Sequence, residues 1–504
     1  MLLGINFVSI YSIATIIIHG LGIISAAHAV MVVRSSRGAI AWGISLITFP
    51  WLAIPLYWIL GNNEFQEYSV ALQKAYLEKH NLVSQAYGAI LEHKAVLPNN
   101  LANIEKLVEK FTPLPFTTGN EIELLIDGQQ TYSAMLQEIA KAQDYILLQS
   151  YIIHSDRIGN EFRQALIERA EQGVKIYFLY DKIGSRKLSR SYLKSLQQYG
   201  ISVYGFGSTR RKGNRFRINF RNHRKILIVD GRVAFMGGLN IGDEYLGKNP
   251  RFGAWRDTHL RIKGAAVQCL QSVFLGDWYW VTRTIPQVEW QVAAKDNKPT
   301  ERAVQIVKDK NDDWQAEGLG ASQRTALILP TSPADELDNC NLFWLSLIER
   351  SQTRLWIASP YFVPNTSILN ALKLAALRGV DVRIILPSRA DHLTAYLCSF
   401  SFYQELKEVG VKLYRYRAGF MHQKVILVDD YLAGIGTVNL DNRSIFLNFE
   451  VMTFAIEEEF IYSVNMMLQK DLSSSSLVDL ARYQKQPVWF KLAARVSRLL
   501  APIL

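Results

Sequence analysis

The chain carries one polar signature twice. "HRKILIVDGRVAFMGGLN" runs from 223 to 240 and "HQKVILVDDYLAGIGTVN" from 422 to 439. In both, a Lys lies two residues after the His, an Asp seven after and an Asn seventeen after. Either stretch alone is an ordinary buried strand with a polar edge. Two copies at identical spacing, each with Asn beyond a Gly-containing turn, are not something packing demands. The feature constrains the fold to two similar halves, each presenting the same strand, turn and strand.

Self-comparison extends the likeness. "DYILLQSYIIHSD" at 144–156 matches "RLWIASPYFVPNT" at 354–366, and "GVKIYFLYD" at 173–181 matches "GVDVRIILP" at 379–387. "YGISVYGFG" at 199–207 matches "VGVKLYRYR" at 409–417. Short apolar strands alternate with helical segments such as "GNEFRQALIERAEQ" and "SILNALKLAALR". That alternation predicts an α/β fold, with sheets flanked by helices. The expected halves are 119–295 and 323–483, separated by a polar linker at 296–322. A basic insertion, "STRRKGNRFRINFRN", precedes only the first motif.

Residues two apart on a strand share a face. His223 therefore projects with Lys225, and His422 with Lys424. The returning strand, whose glycines allow close approach, brings Asn240 or Asn439 towards each pair. Two halves meeting about a pseudo-two-fold axis would gather two imidazoles, two ammonium groups and two amides. That set suits a phosphate diester. Lys225, Lys424, Asn240 and Asn439 would hold the non-bridging oxygens, where charge sits in the transition state. One histidine would attack phosphorus. The other would protonate the leaving alkoxide and then deprotonate the incoming hydroxyl. An attacking His needs a partner on its other nitrogen. Glu450, shortly after the second motif, fits that role, and Asp257 in "WRDTH" is the first-half candidate. Asp230 and Asp429 complete the catalytic signature, but their place on the turn predicts a structural role. No carboxylate cluster marks a magnesium site, so the chemistry calls for no metal and no cofactor.

Before the repeats, residues 5–33 carry no charge, and a second uncharged run covers 38–60. Each is long enough to cross a bilayer as a helix. Residues 1–62 therefore predict a transmembrane hairpin, with Pro50 and Pro55 tolerated inside the second span. "MLLGIN" lacks the basic start of a signal peptide. Arg34 and Arg37 would set the turn on the cytoplasmic side and the body outside. A helical linker is expected over 63–118. The last segment, 484–504, reads as a basic amphipathic tail that lies at a membrane interface or packs on the body. The formal charge of +11 favours an anionic partner. Cys269, Cys340 and Cys398 show no paired spacing and read as core residues.

These residues resemble the phospholipase D superfamily, whose signature is HxKxxxxD followed by six residues, a GG or GS pair and Asn. Gly436-Thr437 departs from the usual pair, and Thr437 is expected to keep a hydroxyl near the phosphate. Within the superfamily, two N-terminal spans before a doubled body resemble the bacterial cardiolipin synthases. The resemblance implies two phospholipase D-like halves. It also implies transfer of a phosphatidyl group from one phosphatidylglycerol to another, yielding cardiolipin and glycerol through a phospho-histidine. His223 would be the nucleophile and His422 the acid/base. The implied partners are anionic phospholipid and the bilayer, in a bacterial inner membrane that the chain crosses more than once, and no nucleic acid. The sequence carries no signal of oligomeric state. The basic insertion, with Arg210, Arg211, Lys212, Arg215, Arg217 and Arg221 interleaved with Phe216 and Phe220, would lie on headgroups or in solvent. A hydrolytic phospholipase D, a phosphatidylserine synthase and a membrane-anchored phosphodiester nuclease use the same pocket and stand as alternatives.

Overall fold

A computed structural model describes residues 7–33, 36–61, 65–207, 219–290, 292, 324–481 and 485–504. The insertion from Arg210 to Arg217, the linker 296–322 and Arg34 lie outside the described residues. The chain forms two compact units: residues 1–66 with 207–220, and residues 67–206 with 221–504.

In the first unit one helix, Phe7–Val32, is long and apolar enough to cross a membrane. The second run corrects the expectation of a single span over 38–60. It breaks into Ser36–Thr48 and Pro50–Leu60. Phe49 leaves the helical region at φ −131°, ψ 55°, because a residue before proline is pushed out of the α conformation. Proline then sits at the first turn, where its missing N–H costs nothing. Ala26, Ala29, Leu46, Ala53 and Tyr57 form a small core among the three helices. His28 Nδ1 meets the Tyr57 hydroxyl at 2.7 Å. Much of the remaining surface is apolar and exposed, Ile16, Ile24, Leu52 and Phe49 included.

The second unit is built on strands that follow the sequence repeats. In the first half these are β1 (Thr117–Ile126), β2 (Tyr145–Ser150), β3 (Lys175–Asp181), β4 (Ser202–Phe206), β5 (Arg221–Asn222), β6 (Ile226–Val229), β7 (Val233–Gly237), β8 (Trp255–Arg256) and β9 (Thr258–Lys263). The second half has β10 (Arg324–Thr331), β11 (Arg354–Ala358), β12 (Phe362–Val363), β13 (Asp381–Pro387), β14 (Lys412–Tyr416), β15 (Phe420–Met421), β16 (Val425–Val428), β17 (Leu432–Gly436), β18 (Leu440–Asp441), β19 (Asn448–Ala455) and β20 (Ser475–Leu477).

One mixed sheet runs through both halves. Its order is β20-β14-β13-β11-β16-β17-β19-β10, then β1-β9-β7-β6-β2-β3-β4. From the β10–β1 pair outward, each half repeats the same succession of seven strands, which is the pseudo-two-fold relation, and the second half adds β20 at its edge. That central pair is antiparallel, with Thr117 opposite Ala326 and Asn120 opposite Arg324. Within each half, β2-β3-β4 and β11-β13-β14 run parallel. Parallel neighbours need crossovers, and helices such as Arg157–Glu171 and Thr366–Leu377 supply them. Asp156 and Asn365 cap these helices through the amides of Gly159 and Ile368. Covered on both faces, β6 and β16 are buried throughout, which explains their unbroken apolar runs "ILIV" and "VILV". All three cysteines are free and buried.

The segment ahead of the first half packs elsewhere than its sequence position suggests. Ala95, Leu101, Ile104 and Val108 belong to the core of the second half, beside Phe343 and Leu347.

Candidate active site

The repeat spacing has a geometric cause. Asp230 and Asp429 sit just past β6 and β16 in the left-handed region, at φ 50° and 47°. The Asp230 carboxylate accepts from the backbone amides of Gln143, Asp144 and Tyr145 at 2.8–2.9 Å. Asp429 does the same with Gln352, Thr353 and Arg354. Each thus ties the motif hairpin to the start of the strand beside it. Their lone pairs are committed at the end of the strand remote from the histidines. Asp230 and Asp429 are therefore moved out of the reacting set and into the frame.

The histidines stand just ahead of β6 and β16. Strand β5, before His223, pairs in parallel with the start of β19, before Glu450. Strand β15, before His422, pairs likewise with β8, before Asp257. The His223 amide donates to Phe449 O at 2.9 Å, and the His422 amide to Arg256 O at 2.8 Å. Each half thereby threads its histidine into the other. The carboxylate contacts follow: His223 Nδ1 lies 2.9 Å from Glu450 Oε2, and His422 Nδ1 lies 2.8 Å from Asp257 Oδ2. Both carboxylates are fully buried. The orienting pairs are crossed between halves, so Asp257 serves the histidine of the second half and Glu450 that of the first. With a carboxylate on Nδ1, that nitrogen carries a proton in either histidine, and in the neutral ring Nε2 keeps its lone pair.

Burial lowers His223 to about 4, overcoming the upward pull of Glu450, with Lys225 pushing the same way as burial. His422 is also lowered, first by burial and then by Lys424. Both lysines are almost completely buried. Burial takes Lys225 well below the ordinary ammonium range and Lys424 to about 8. Burial pushes Asp257 up, but His422 and Lys424 outweigh it and hold the carboxyl below its usual range. The pocket holds two imidazoles on two buried carboxylates, beside two buried lysines short of solvation. An anionic phosphate would favour the charged form of both lysines.

Lys225 Nζ donates to His223 O at 2.6 Å and lies over the Tyr151 ring, which meets His223 edge-on at 4.9 Å. Lys424 donates to the His422 carbonyl and lies 3.0–3.1 Å from both ring nitrogens. The Asn240 amide oxygen accepts from Ile152 N at 3.1 Å, and its nitrogen donates to the Tyr245 hydroxyl. Asn439 is buried, and its amide oxygen has no protein partner among the described residues.

Thr437 corrects one expectation. Its hydroxyl accepts from Val451 N at 2.9 Å and donates to Val451 O, and it also interacts with the Glu450 carboxylate, so it serves β19 and Glu450 and not a phosphate. Its counterpart Gly238 has no room for a side chain, because an added Cβ would lie 2.0 Å from Asp257 Oδ1. Glu450, one methylene longer than Asp257, reaches His223 with Thr437 in place. Gly238→Ala should displace Asp257 from His422 and cut turnover by about 10²-fold, while Thr437→Gly leaves activity near normal. Steady-state rates of the two variants check this.

A buried layer behind the histidines was not foreseen. Arg224 projects to the opposite face from His223 and Lys225. Its guanidinium meets Asp277 at 2.8 Å and donates to the carbonyls of Glu450 and Thr331. Asp277 also accepts from Tyr68, Gln149 and Asn222 at 2.8 Å. In the second half Asp471 takes that place, bound to Gln423 and, across the halves, to Arg256. The available signal was a lone acid inside a greasy helix: Asp277 in "VFLGDWYW".

Comparison with known proteins agrees with this geometry. The family described as "Cardiolipin synthase, PLD-like domain" matches residues 135–278 and 344–472. A protein named cardiolipin synthase A from Pseudomonas putida (strain GB-1) is 39% identical over 490 residues, 97% of either chain. One of the same name from Pseudomonas aeruginosa (strain LESB58) is 39% identical over 488 residues, 96% of this chain and 94% of that one. Among solved structures, a phosphatidylserine synthase from Haemophilus influenzae Rd KW20 covers 81% of this chain and all of its own, with a TM-score of 0.57 at 16% identity. That last likeness concerns the fold. Matched in both halves and along nearly its whole length, the chain belongs to the cardiolipin synthase, PLD-like domain family.

Proposed function

We propose that the chain is a cardiolipin synthase, a phosphatidyltransferase that joins two phosphatidylglycerols and releases glycerol. The observation that carries the mechanism is the crossed pairing of His223 with Glu450 and of His422 with Asp257. His223 Nε2 attacks the donor phosphorus, and the P–O bond to glycerol breaks. His422 enters this step as the imidazolium, its Nδ1–H held by Asp257, and delivers its Nε2 proton to that oxygen, becoming the neutral imidazole. Glycerol leaves, and His422 takes the proton of a hydroxyl on the second lipid. That oxygen attacks phosphorus, the P–N bond breaks and His223 is restored. Lys225, Lys424, Asn240 and Asn439 hold the non-bridging oxygens. Anionic phospholipid is the substrate at both steps. The helix 7–32 anchors the enzyme in a bacterial cytoplasmic membrane, and the bent pair 36–60 returns through it, with the turn near Arg34 and Arg37 on the cytoplasmic side.

Liposomes of phosphatidylglycerol with excess chelator test the reading. Cardiolipin and glycerol should appear in equal amounts with the full chain. Phosphatidic acid in their place would make water the acceptor and the protein a lipase; no product at all would remove the assignment.

The pH profile offers a second check. An ordinary imidazole titrates near 6.5 and would be about nine-tenths protonated at pH 5.5, whereas His223, lowered to about 4, stays neutral there. The acid limb of kcat/KM should therefore lie nearer 4 than 6.5. The linkage has a definite sign. The unfolded chain takes up the proton first, so stability falls as pH drops from about 6.5 towards 4 and levels below it. Circular dichroism at each pH separates the two effects.

A further inference from the structure

We propose that the C-terminal helix, Val488–Leu499, is an interfacial helix that seats the catalytic body on an anionic bilayer; this deepens the lipid-substrate reading above and rests on it. The helix has two apolar faces. Its inner face is packed on the second half. Phe490 meets the Phe400 ring edge-on at 5.2 Å, Ala494 is fully buried, and Ser497 is nearly so. Arg498 lies over the Phe402 ring at 4.3 Å and pairs with Glu405 at 3.3 Å. The outer face is equally apolar and uncovered. Val488, Trp489, Leu492, Val496 and Leu499 are 79%, 68%, 60%, 51% and 78% exposed. At 100° per residue these five fall within one arc of about 100°, on the side opposite Phe490, Ala494 and Ser497. A helix that needed only to pack on the body would carry polar residues there.

Charge selects the occupant. Lys491 and Arg495 follow one flank of the apolar arc, and the arc itself carries no acid. Apolar residues flanked by cations suit the boundary between anionic headgroups and acyl chains. The same chain carries a helix long and apolar enough to cross a membrane, so a bilayer is held within reach.

The position also matters. Beyond the helix, the chain end closes on the segment that leaves the active site. The Leu504 carbonyl accepts from Arg443 N at 2.8 Å, and the Ala501 carbonyl from the Asn442 side chain at 2.8 Å. Asn442 and Arg443 open the short helix Asn442–Phe446, three residues after Asn439. Seating the outer face in lipid would fix this corner of the site at headgroup level.

The test uses the full chain in phosphatidylglycerol vesicles, with single cysteines at Leu492, Val496 and Leu499 carrying an environment-sensitive fluorophore. The three native cysteines are buried. Controls are placed at the exposed Lys485 and Tyr199. All three helix labels should shift to the blue and be quenched by lipids bearing shallow nitroxides, as expected for insertion of roughly 5–10 Å; the controls should do neither. A double variant, Leu492→Asp with Val496→Asp, should lower turnover in vesicles by roughly tenfold. The same variant should keep its rate on a short-chain monomeric donor. Helix labels that behave like the controls would overturn the proposal. So would labels that shift without lipid quenching and revert on dilution in detergent, since a second copy would then cover the face. Wild-type vesicles that yield no cardiolipin while the labels still insert would refute the activity and leave the docking standing.

Discussion

His223→Ala should abolish phosphatidyl transfer, by at least about four orders of magnitude, as expected when a covalent nucleophile is removed. The informative companion is Glu450→Gln. Its amide would donate to His223 Nδ1 and force the proton onto Nε2, leaving no lone pair to attack; a comparable tautomer reversal in a serine protease costs about 10⁴-fold. A donor with a good leaving group, such as a phosphatidyl ester of p-nitrophenol, separates the two histidines, because departure then needs no acid. With that donor, His422→Ala and Asp257→Asn should still give a burst of nitrophenol and a loaded enzyme. His223→Ala and Glu450→Gln should give none. The result turns on the crossed contacts. If each carboxylate served its own half, Glu450→Gln would burst and Asp257→Asn would not.

Asp277→Ala should be among the most destabilising single changes in the body. It strands the Arg224 guanidinium, whose side chain is 3% exposed, without its counter-ion. It also leaves Tyr68, Gln149 and Asn222 without their acceptor. Breaking a buried pair from one side costs about 3–5 kcal/mol. Asp277→Asn keeps the shape and part of the hydrogen bonding, so it should cost distinctly less. Thermal unfolding of both variants, followed by circular dichroism, checks the order. A loss under about 1 kcal/mol for the alanine variant would mean that Arg224 finds another partner. Activity should fall with stability, since Arg224 lies between His223 and Lys225 and also holds the Glu450 carbonyl.

The two parts of this site were not equally legible. The His, Lys, Asp and Asn spacing could be read because it is local: seventeen residues fix a hairpin and its faces. The strands were legible because β6, β16 and their neighbours are buried on both sides and so run apolar. The crossing was not. His223 and Glu450 stand 227 residues apart, and only the pairing of β5 with β19 brings them together. Arg224 and Asp277 were hidden because Asp277 lies outside the repeated motif and Arg224, although inside its first copy, stands where the second has Gln423. The break at Phe49 is a different failure. Pro50 was in plain view, but a proline inside an apolar run reads equally as a tolerated kink and as the start of a new helix. Thr437 misled because its hydroxyl found a backbone partner in β19, which spacing does not reveal.

The β10–β1 ladder has a consequence for motion. Two lobes around a reactive cleft commonly open like a clamshell, about a joint that few hydrogen bonds cross. Here the lobes are linked by three short strand pairs, β10 with β1, β5 with β19 and β8 with β15. Prising the lobes apart would tear β1 from β10 and, in the same movement, pull Glu450 off His223 and Asp257 off His422. The reacting groups part only if those pairings break. Exchange of one lipid for a small alcohol and then a second lipid is therefore expected at the rim of the site, with the crossed histidine–carboxylate contacts kept.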